Sequence, residues 1–421
     1  MKKTINKSTK ALLIVVFSIT IFACGGGGAI DVSDNTYASE ESQEGTTLNN
    51  TYKIVDTNVE DCYDNNSVIN CPSAGEHFYG QDATYVGNMP SYTDNGDGTI
   101  TDNVSGLMWQ QDMGEKVTYS EALELAASMN LAGHDDWRVP TIKELYSLIL
   151  FTGSNGDGTN EDTYELYIDT NYFVQLFGDQ SSGERIIDAQ TWSATEYVGT
   201  TMNGDATVFG VNFIDGRIKG YPKYTPGTQV EKTAFFRMVR GNADYGVNNF
   251  VDNGDGIISD LSTGLMWQQN DNGSGVDWED ALEYCENLEL VQYDNWRLPN
   301  AKELQSIVDY TRSVQTTSSA AIDPIFNATE IVDPDGYLQY PYYWSSTTHL
   351  DGIGVYDKAV YIAFGEAQGI MGDTLMDVHG AGAQRSDPKA GSPEDYLSYW
   401  GPQGDIRYVF NYVRCVRTIS G

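Results

Sequence analysis

The chain has 421 residues, 12% of them aromatic, and a formal net charge of −36. This composition is typical of a folded protein and excludes a disordered polymer. The charge excludes a surface for nucleic acid or for an anionic membrane, because both require net positive contact charge. The acidic excess indicates solubility in a salty medium, with carboxylates that hold Ca²⁺ as the alternative.

Residues 1–23 have the layout of an export signal. The basic start MKKTINKSTK precedes the apolar run ALLIVVFSITIFA, which is too short to span a bilayer comfortably. The IFAC sequence that ends at Cys24 resembles a bacterial lipobox, which implies cleavage before Cys24 and lipid on that cysteine. Gly25 then implies sorting to the outer membrane. We expect an exported lipoprotein on the periplasmic face of the outer membrane or at the cell surface, with an unlipidated secretory protein as the alternative.

Two stretches separate this leader from the repeated part of the chain. Residues 24–60 are rich in Gly, Ser, Thr, Asn, Asp and Glu, which cannot bury a core, so they are predicted to form a flexible tether. Residues 61–89 form a small lead-in segment that contains Cys62 and Cys71. In an exported chain, two cysteines this close favour a local disulfide loop.

The rest of the chain contains one pattern twice. Residues 94–111 and 252–269 are identical at 13 of 18 positions and end in GLMWQQ. Three further anchors follow in the same order in each copy, namely WRVPTIKEL and WRLPNAKEL, TWSAT and YWSST, and FFRMVR and YVRCVR. The segments between the anchors change length, as loops do within one fold. We therefore predict two globular domains, at 90–241 and 248–421.

Each copy begins with a DNGDG stretch, which supplies the positive φ angles that a tight hairpin turn needs. The same acidic residues suggest calcium as an alternative, although their spacing does not match an EF-hand. The candidate calcium ligands are Asp94, Asn95, Asp97 and Asp102 in the first copy and Asp252, Asn253, Asp255 and Asp260 in the second. The hairpin is the favoured interpretation.

Two helices are predicted to follow in each copy. SEALELAASMN (120–130) and WEDALEYCENL (278–288) carry apolar residues at helical spacing. The WRVP and WRLP sequences lead into a second helix, where Thr141 and Glu144 have the spacing of a capping box and the second copy keeps the pattern. Only strand-like runs come after these helices, so each copy is predicted to be an α+β domain.

Cys285 and Cys415 are predicted to form a second disulfide. Four cysteines besides Cys24 allow three pairings. In the first copy the positions of Cys285 and Cys415 hold Ala126 and Met238. Both sulfurs are replaced together by apolar residues, which is typical of two positions that are in contact inside a core.

The ordered anchors resemble the Lcl C-terminal domain family, also called DUF1566 and named after the Legionella collagen-like adhesin. The resemblance covers both copies, from GLMW through the WRVP or WRLP helix to the final RMVR or RCVR. It implies tandem C-type-lectin-like domains, a fold shared with formylglycine-generating enzymes. In such folds a disulfide commonly ties the first helix to the last strand, which is where Cys285 and Cys415 are placed.

No residue pattern indicates catalysis, so the protein is not expected to be an enzyme. Formylglycine chemistry needs a pair of reactive cysteines near the chain end, where this chain has only Cys415. The four histidines lack the spacing of a zinc site. No cofactor is predicted apart from the calcium alternative. The tryptophans of the anchors are predicted to be core residues, and Arg138 and Arg297 beside two of them are predicted to form ion pairs.

The copies differ most in their late segments. Residues 373–407 are rich in Gly, Pro, aromatic and charged residues and are predicted to form a long functional loop. They combine positive charge with rings that can stack on sugars. The candidate ligand-binding residues are Arg385, Lys389, Tyr396, Tyr399, Trp400 and Arg407. The alternative is a structural cover over the core.

These features together predict a non-catalytic, lipid-anchored envelope protein that binds a glycan or another surface, as an adhesin does. A structural protein that binds an envelope protein and a divergent enzyme of the formylglycine-generating type are the alternatives. The expected partners are the membrane, through the anchor, and a glycan or an envelope or host protein, but not nucleic acid.

Overall fold

The computed structural model describes residues 50–225, 227–352, 355–397 and 399–419. Strands make up 30% of the chain and helices 13%, so the fold is mostly β-sheet with few helices. No helix within these four ranges has the length and the apolar character that a membrane crossing requires.

The elements follow the repeat. The lead-in segment holds the short strands β1 (Cys62–Tyr63) and β2 (Val68–Ile69). The first copy consists of β3 (Tyr92–Asp94), β4 (Thr99–Asp102), β5 (Leu107–Gln110), β6 (Val117–Thr118), α1 (Tyr119–Ser128), α2 (Ile142–Tyr146), β7 (Thr191–Glu196), β8 (Thr207–Asn212), β9 (Arg217–Pro222), β10 (Thr233–Ala234) and β11 (Val239–Gly241). The second copy consists of β12 (Phe250–Asp252), β13 (Ile257–Asp260), β14 (Leu265–Gln268), α3 (Trp278–Glu286), α4 (Ala301–Ser306), α5 (Val314–Thr317), β15 (Ile331–Val332), β16 (Leu338–Gln339), β17 (Tyr342–Thr348), β18 (Lys358–Ala363), β19 (Gln368–Met371), β20 (Thr374–Asp377), β21 (Gln384–Pro388), β22 (Tyr399–Trp400), β23 (Asp405–Ile406) and β24 (Val416–Thr418). Single turns of 3₁₀ helix lie at Asp82–Thr84, Glu161–Thr163, Gln180–Ser182 and Pro393–Asp395.

The DNGDG stretch forms a hairpin turn in each copy, as the sequence predicts. It joins β3 to β4 and β12 to β13, and each hairpin belongs to a four-stranded antiparallel sheet. The orders are β11-β5-β4-β3 and β12-β13-β14-β24, so the last strand of each copy pairs with the third strand of that copy, β5 or β14. The anchor tryptophans lie in the core as predicted, at Trp109, Trp137, Trp192, Trp267, Trp296 and Trp344.

The WRVP and WRLP anchors each combine a helix cap with an ion pair. Glu144 accepts a hydrogen bond from the backbone N–H of Thr141 at 2.8 Å and two from the Arg138 guanidinium at 2.5 and 2.6 Å. Glu303 makes the same pair with Arg297 in the second copy, again at 2.5 and 2.6 Å. The predicted capping boxes and the predicted ion pairs are therefore confirmed, and one carboxylate in each copy serves both.

The structure contains both predicted disulfides. Cys62 is bonded to Cys71, and Cys285 on α3 is bonded to Cys415 just before β24. Ala126 and Met238, which replace the second pair in the first copy, lie together in a buried cluster there. The replacement of both cysteines together thus marks two positions that are in contact.

The two copies share one antiparallel sheet of six strands. Its order is β17-β18-β21-β9-β8-β7, with three strands from each copy. The joint between the copies is the pairing of β21 with β9, in which Gln384 of β21 lies opposite Ile218 of β9. Residues 48–421 form one compact unit. The copies are therefore tandem in sequence, and in space they share one sheet.

The joint has the form of a two-fold interface. Both central strands end in Pro followed by Lys, at Pro222 and at Pro388. Counting back from these prolines makes Ile218 and Gln384 equivalent positions. Each therefore pairs with its own counterpart, as residues near the axis of a symmetric dimer do.

One core runs across the joint. The sheet face toward α2 and α4 carries Phe209 from the first copy and Val360 and Ile362 from the second in one buried cluster. The opposite face is divided, since α1 covers the β7 side and α3 covers the β17 side.

Two lysines of the repeated KEL sequence cross the joint reciprocally. Lys143 donates to the carbonyl of Ser306 at 2.6 Å, and Lys302 donates to the carbonyl of Ser147 at 3.0 Å. Each serine lies at the C-terminal end of the other copy's helix. A cation there satisfies carbonyl groups that the helix leaves unpaired. The repeated lysine thus holds the copies together.

The tether prediction is wrong for its last residues. Val55 and Thr57 are fully buried, and Asp56 accepts a hydrogen bond from Lys302 at its backbone carbonyl. Thr57 also donates to Asp82 at 2.9 Å. The polar composition of this stretch predicts a flexible, exposed tether, but its polar groups are buried with hydrogen-bond partners. Residues 24–49, with Cys24, and the predicted signal peptide 1–23 lie outside the described residues.

The lead-in segment packs on the second copy, although the first copy follows it in sequence. The ring of Phe78 lies 6.3 Å from that of Trp278, and Tyr85 donates to Glu286 at 2.8 Å. Thr347 of β17 donates to Asp82 at 2.5 Å. Residues 50–89 therefore complete the second copy from the far end of the chain.

Candidate ligand-binding cleft

The late segment of the second copy is folded into sheets. β21 occupies the centre of the six-stranded sheet, and β20, β22 and β23 join β19 in a separate sheet of order β20-β19-β23-β22. The prediction of a long loop at 373–407 is therefore wrong. Its charged residues suggested solvent exposure, but several of them are paired with one another out of solvent.

A narrow cleft lies where this second sheet meets the joint between the copies. Its lining residues are Arg217, Asp351, Lys358, Tyr361, Arg385, Ser386, Asp387, Trp400, Asp405, Ile406 and Arg407. Its volume of about 30 Å³ is enough for one or two water molecules. Since Gln384 faces Ile218 in antiparallel pairing, Arg385 of the second copy lies opposite Arg217 of the first. The site is therefore built by both copies.

Carboxylates neutralise the two arginines. Arg217 forms ion pairs with Asp351 and with Asp215, the latter at 3.3 Å. Arg385 is paired with Asp405, which also accepts from His379 Nε2 at 2.8 Å. Like charges directly opposite each other destabilise a sheet unless they are compensated. These acids supply the compensation and hold both guanidinium groups in place.

The lining and its ion-pair partners balance in charge. The cations are Arg217, Lys219, Lys358, Arg385 and Arg407, and the acids are Asp215, Asp351, Asp357, Asp387 and Asp405. The whole chain carries −36, so this locally neutral region differs from the average surface. A ligand here does not meet the repulsion that an anion meets elsewhere on the protein.

Burial and ion pairing act differently on the acids and on His379. Burial alone would raise the pKa of Asp405, but the charge of Arg385 and the hydrogen bond from His379 outweigh it and hold that pKa well below its ordinary value. Burial raises the pKa of Asp387 to about 6, although Asn411 and nearby backbone N–H groups donate to it. Burial lowers the pKa of His379 to about 4, so its ring is neutral at neutral pH.

Three buried donors at this joint have no hydrogen-bond partner among the described residues. They are Nε of Arg217, Nη1 of Arg385 and the hydroxyl of Tyr221. Arg217 and Tyr221 lie at alternate positions of β9 and so on one face of the sheet. Buried polar groups are normally paired. Water or a ligand rich in acceptor oxygens must satisfy these donors.

An aromatic platform borders the cleft. The guanidinium of Arg407 lies over the ring of Trp400 at 4.5 Å and near that of Tyr396 at 5.8 Å. Trp400 is 54% exposed and Tyr399 is 49% exposed. Within the part of the chain that the structure describes, no carboxylate forms an ion pair with Arg407. The platform therefore offers a flat ring face and an unpaired cation to solvent.

The structure separates the predicted ligand-binding residues. Arg385, Trp400 and Arg407 line the cleft, while Tyr396 and Tyr399 lie beside it. Lys389 does not take part: it is fully buried, donates to the carbonyl of Asp64 at 3.0 Å and lies 4.2 Å from the ring of Trp278. The lysine was misjudged because its Pro- and Gly-rich neighbourhood suggested exposure.

Sequence reasoning missed the part of the cleft that lies outside residues 373–407. Arg217 is in the first copy, and Asp351 and Lys358 precede the segment that appeared distinctive. The one sequence signal that relates them to Arg385 is the Pro-Lys pair after β9 and β21, which identifies the two strands as counterparts. That signal lies outside the conspicuous anchors.

The calcium candidates do not converge. In each turn the first three candidate ligands are exposed. Their side chains form hydrogen bonds within the hairpin, as Asp97 does with Thr99. Asp102 and Asp260 are fully buried at the far ends of β4 and β13. The residues concerned are Asp94, Asn95, Asp97, Asp102, Asp252, Asn253, Asp255 and Asp260. No group of three or more metal-binding side chains occurs in the four described ranges, and calcium binding stays a prediction.

Comparison with known proteins identifies the repeated unit. No curated protein and no solved structure matches the chain. The family model of the Lcl C-terminal domain matches residues 98–240 and 256–376, which together cover more than half of the chain. The chain therefore belongs to the Lcl C-terminal domain family and carries two copies of that domain in tandem.

Proposed function

We propose that this protein is a binding protein of the cell envelope and that its ligand site is the cleft between the two copies. The observation that carries the proposal is the pair of buried donors on Arg217 and Arg385, which line the cleft and have no partner in the described chain. The proposal includes a lipid anchor at Cys24, export to the outer membrane and a C-type-lectin-like fold for the copies. Family resemblance and the leader sequence support these parts.

A saccharide without strong charge is the ligand class that the cleft supports best. Trp400 presents a ring face of the kind that covers the apolar side of a sugar. The cavity holds only water-sized groups, so a sugar ring lies on the platform and one or two of its hydroxyl oxygens reach the donors inside. A heavily sulfated glycan is less suited, because Arg407 alone is unpaired and the chain is strongly acidic.

A glycan array with residues 48–421 tests the proposal, with binding constants then measured for the best saccharide. We expect Trp400→Ala and Arg407→Ala each to weaken binding at least tenfold, or roughly 1.4 kcal/mol. Lys389→Met is the matched control. It removes a buried cation of the same segment, and it should leave the affinity for the saccharide unchanged. Wild-type affinity in both cleft variants would place the site elsewhere.

A protein partner is the second candidate. Leu397 is 67% exposed next to Tyr399 and Trp400, and such an apolar patch is typical of protein interfaces. Absence of glycan binding, together with an envelope protein that co-purifies with wild type but not with Trp400→Ala, would favour it. An enzyme of the formylglycine-generating type is less favoured, because Cys415 is bonded to Cys285.

A further inference from the structure

The two lysines that cross the joint differ in what they meet beyond the helix ends. Lys143 Nζ lies 2.9 Å from the side-chain oxygen Oδ1 of Asn248. The amide nitrogen Nδ2 of Asn248 in turn donates to Asp260 Oδ2 at 2.8 Å. Lys302 Nζ donates to the backbone carbonyls of Asp56 and Ser147 instead. An amine, a carboxamide and a carboxylate therefore stand in series on one side of the joint.

This series lies among aromatic side chains that shield it in part from solvent, with Lys143 and Asn248 half-buried. Asp260 and Tyr52 are buried, and the Tyr52 hydroxyl is 3.4 Å from Asn248 Nδ2. Tyr146 and Tyr245 line the same place, whose cavity of about 10 Å³ has no room for a ligand. The arrangement is therefore not a binding site, and its chemistry concerns the three side chains themselves.

We propose that Lys143 and Asn248 become joined by an isopeptide bond within the folded protein. The lone pair of Lys143 Nζ forms a bond to Cγ of Asn248, and the Cγ–Nδ2 bond breaks with its electron pair on nitrogen. The proton that Nζ loses passes through Asp260 to the leaving nitrogen, and one ammonia is released. The reaction consumes no oxidant, reductant or cofactor.

Contact within the fold supplies what this reaction needs. Because Oδ1 is bonded to Cγ, an amine in contact with Oδ1 is also held close to the carbon that it attacks, and fixed proximity can replace a large part of an entropic barrier. Burial lowers the pKa of Lys143 to about 8, so a fraction of the amine is neutral and nucleophilic at neutral pH. Asp260 is oriented by hydrogen bonds from Asn249 N and Thr263 Oγ1, at 2.9 and 2.8 Å.

The other side of the joint lacks the electrophile. At the offset that aligns the two DNGDG turns, the position of Asn248 is occupied by Pro90 in the first copy. No side-chain carboxamide accepts from Lys302 Nζ among the described residues. Lys302 therefore provides an internal control. It has a similar position at the joint, and burial lowers its pKa to about 7.

The bond would cross-link the copies. Lys143 is on α2 of the first copy, and Asn248 precedes β12 of the second, 105 residues later. The isopeptide bond would add a covalent cross-link to the hydrogen bonds that Lys143 forms at the interface between the copies.

Peptide mapping of the purified full-length chain by mass spectrometry tests the inference directly. We expect the peptide that contains Lys143 to be joined to the one that contains Asn248, with the combined mass lowered by roughly 17 Da for the lost ammonia. Asn248→Ala and Lys143→Arg should abolish this species. Lys302→Arg should retain it.

Two results would overturn the inference. One is recovery of Lys143 and Asn248 from wild-type protein only in separate, unmodified peptides. The other is a cross-linked species that persists in Asn248→Ala. The wild-type map needs no substitution, so a variant that fails to fold does not affect it, and deamidated Asn248 with a free Lys143 counts against the bond.

Discussion

The Cys285–Cys415 disulfide can be removed with a replacement that the chain itself provides. The first copy holds Ala126 and Met238 at the same positions, both buried. Changing Cys285→Ala together with Cys415→Met therefore keeps the site apolar. The bond spans a sequence separation of 130 residues, for which the loop-entropy treatment gives about 5 kcal/mol. The bond between Cys62 and Cys71 spans 9 residues, for which the same treatment gives about 2.5 kcal/mol.

Urea unfolding of residues 48–421, followed by tryptophan fluorescence, measures both effects. We expect one cooperative transition in every variant, because the copies share a sheet and a core. The pair at 285 and 415 should lower the free energy of unfolding about twice as much as Cys62→Ala with Cys71→Ala. The reverse order would contradict the loop argument. Two transitions, with the first copy unaffected, would contradict the shared core.

Three further outcomes follow from the same contacts. Ala126→Cys with Met238→Cys should form a new disulfide in the first copy, seen by non-reducing peptide mapping, because Cys285 and Cys415 bond at the equivalent positions. Glu303→Ala should cost about 3 kcal/mol in urea unfolding, because it leaves the Arg297 guanidinium without its partner and removes a helix cap. Burial raises the pKa of Asp82 to about 7, above its unfolded value, so the stability linked to this proton falls as pH rises from about 4 to about 7. Asp82→Asn should therefore raise the free energy of unfolding at about pH 8 by about 1–3 kcal/mol and leave it nearly unchanged at about pH 4, as compared by urea titration.

Local patterns and the repeat predict much of this fold. The hairpin turns depend on DNGDG alone, and the helix starts depend on residues three apart, such as Thr141 and Glu144. The tryptophan core and the Cys285–Cys415 pair were predictable because two copies allow positions to be compared. Each of these features is settled by short-range chemistry or by direct counterparts in the other copy.

The joint and the cleft could not be predicted in this way. β21 is the counterpart of β9 but lies after an insertion, so the anchors give no register for it. Charged side chains such as Arg385 and Lys389 usually indicate a surface, yet here Asp405 and the ring of Trp278 hold them out of solvent. The cleft depends on pairing between distant strands, which local periodicity does not report.

The departure from symmetry explains why the candidate cleft lies on one side of the joint. Two equal copies around a pseudo-two-fold axis would build two equivalent half-sites along β9 and β21. The connection from β8 to β9 is the short turn 213–216, whereas that from β18 to β21 runs through 364–383 and contains β19 and β20. The resulting second sheet covers only one side of the joint, where it brings Asp405 and Trp400 to Arg385. The reciprocal lysines are unequal for the same kind of reason, since Asn248 stands opposite Lys143 and Pro90 takes its place in the other copy. In both cases the repeat supplies the frame, and residues that one copy alone possesses supply the chemistry.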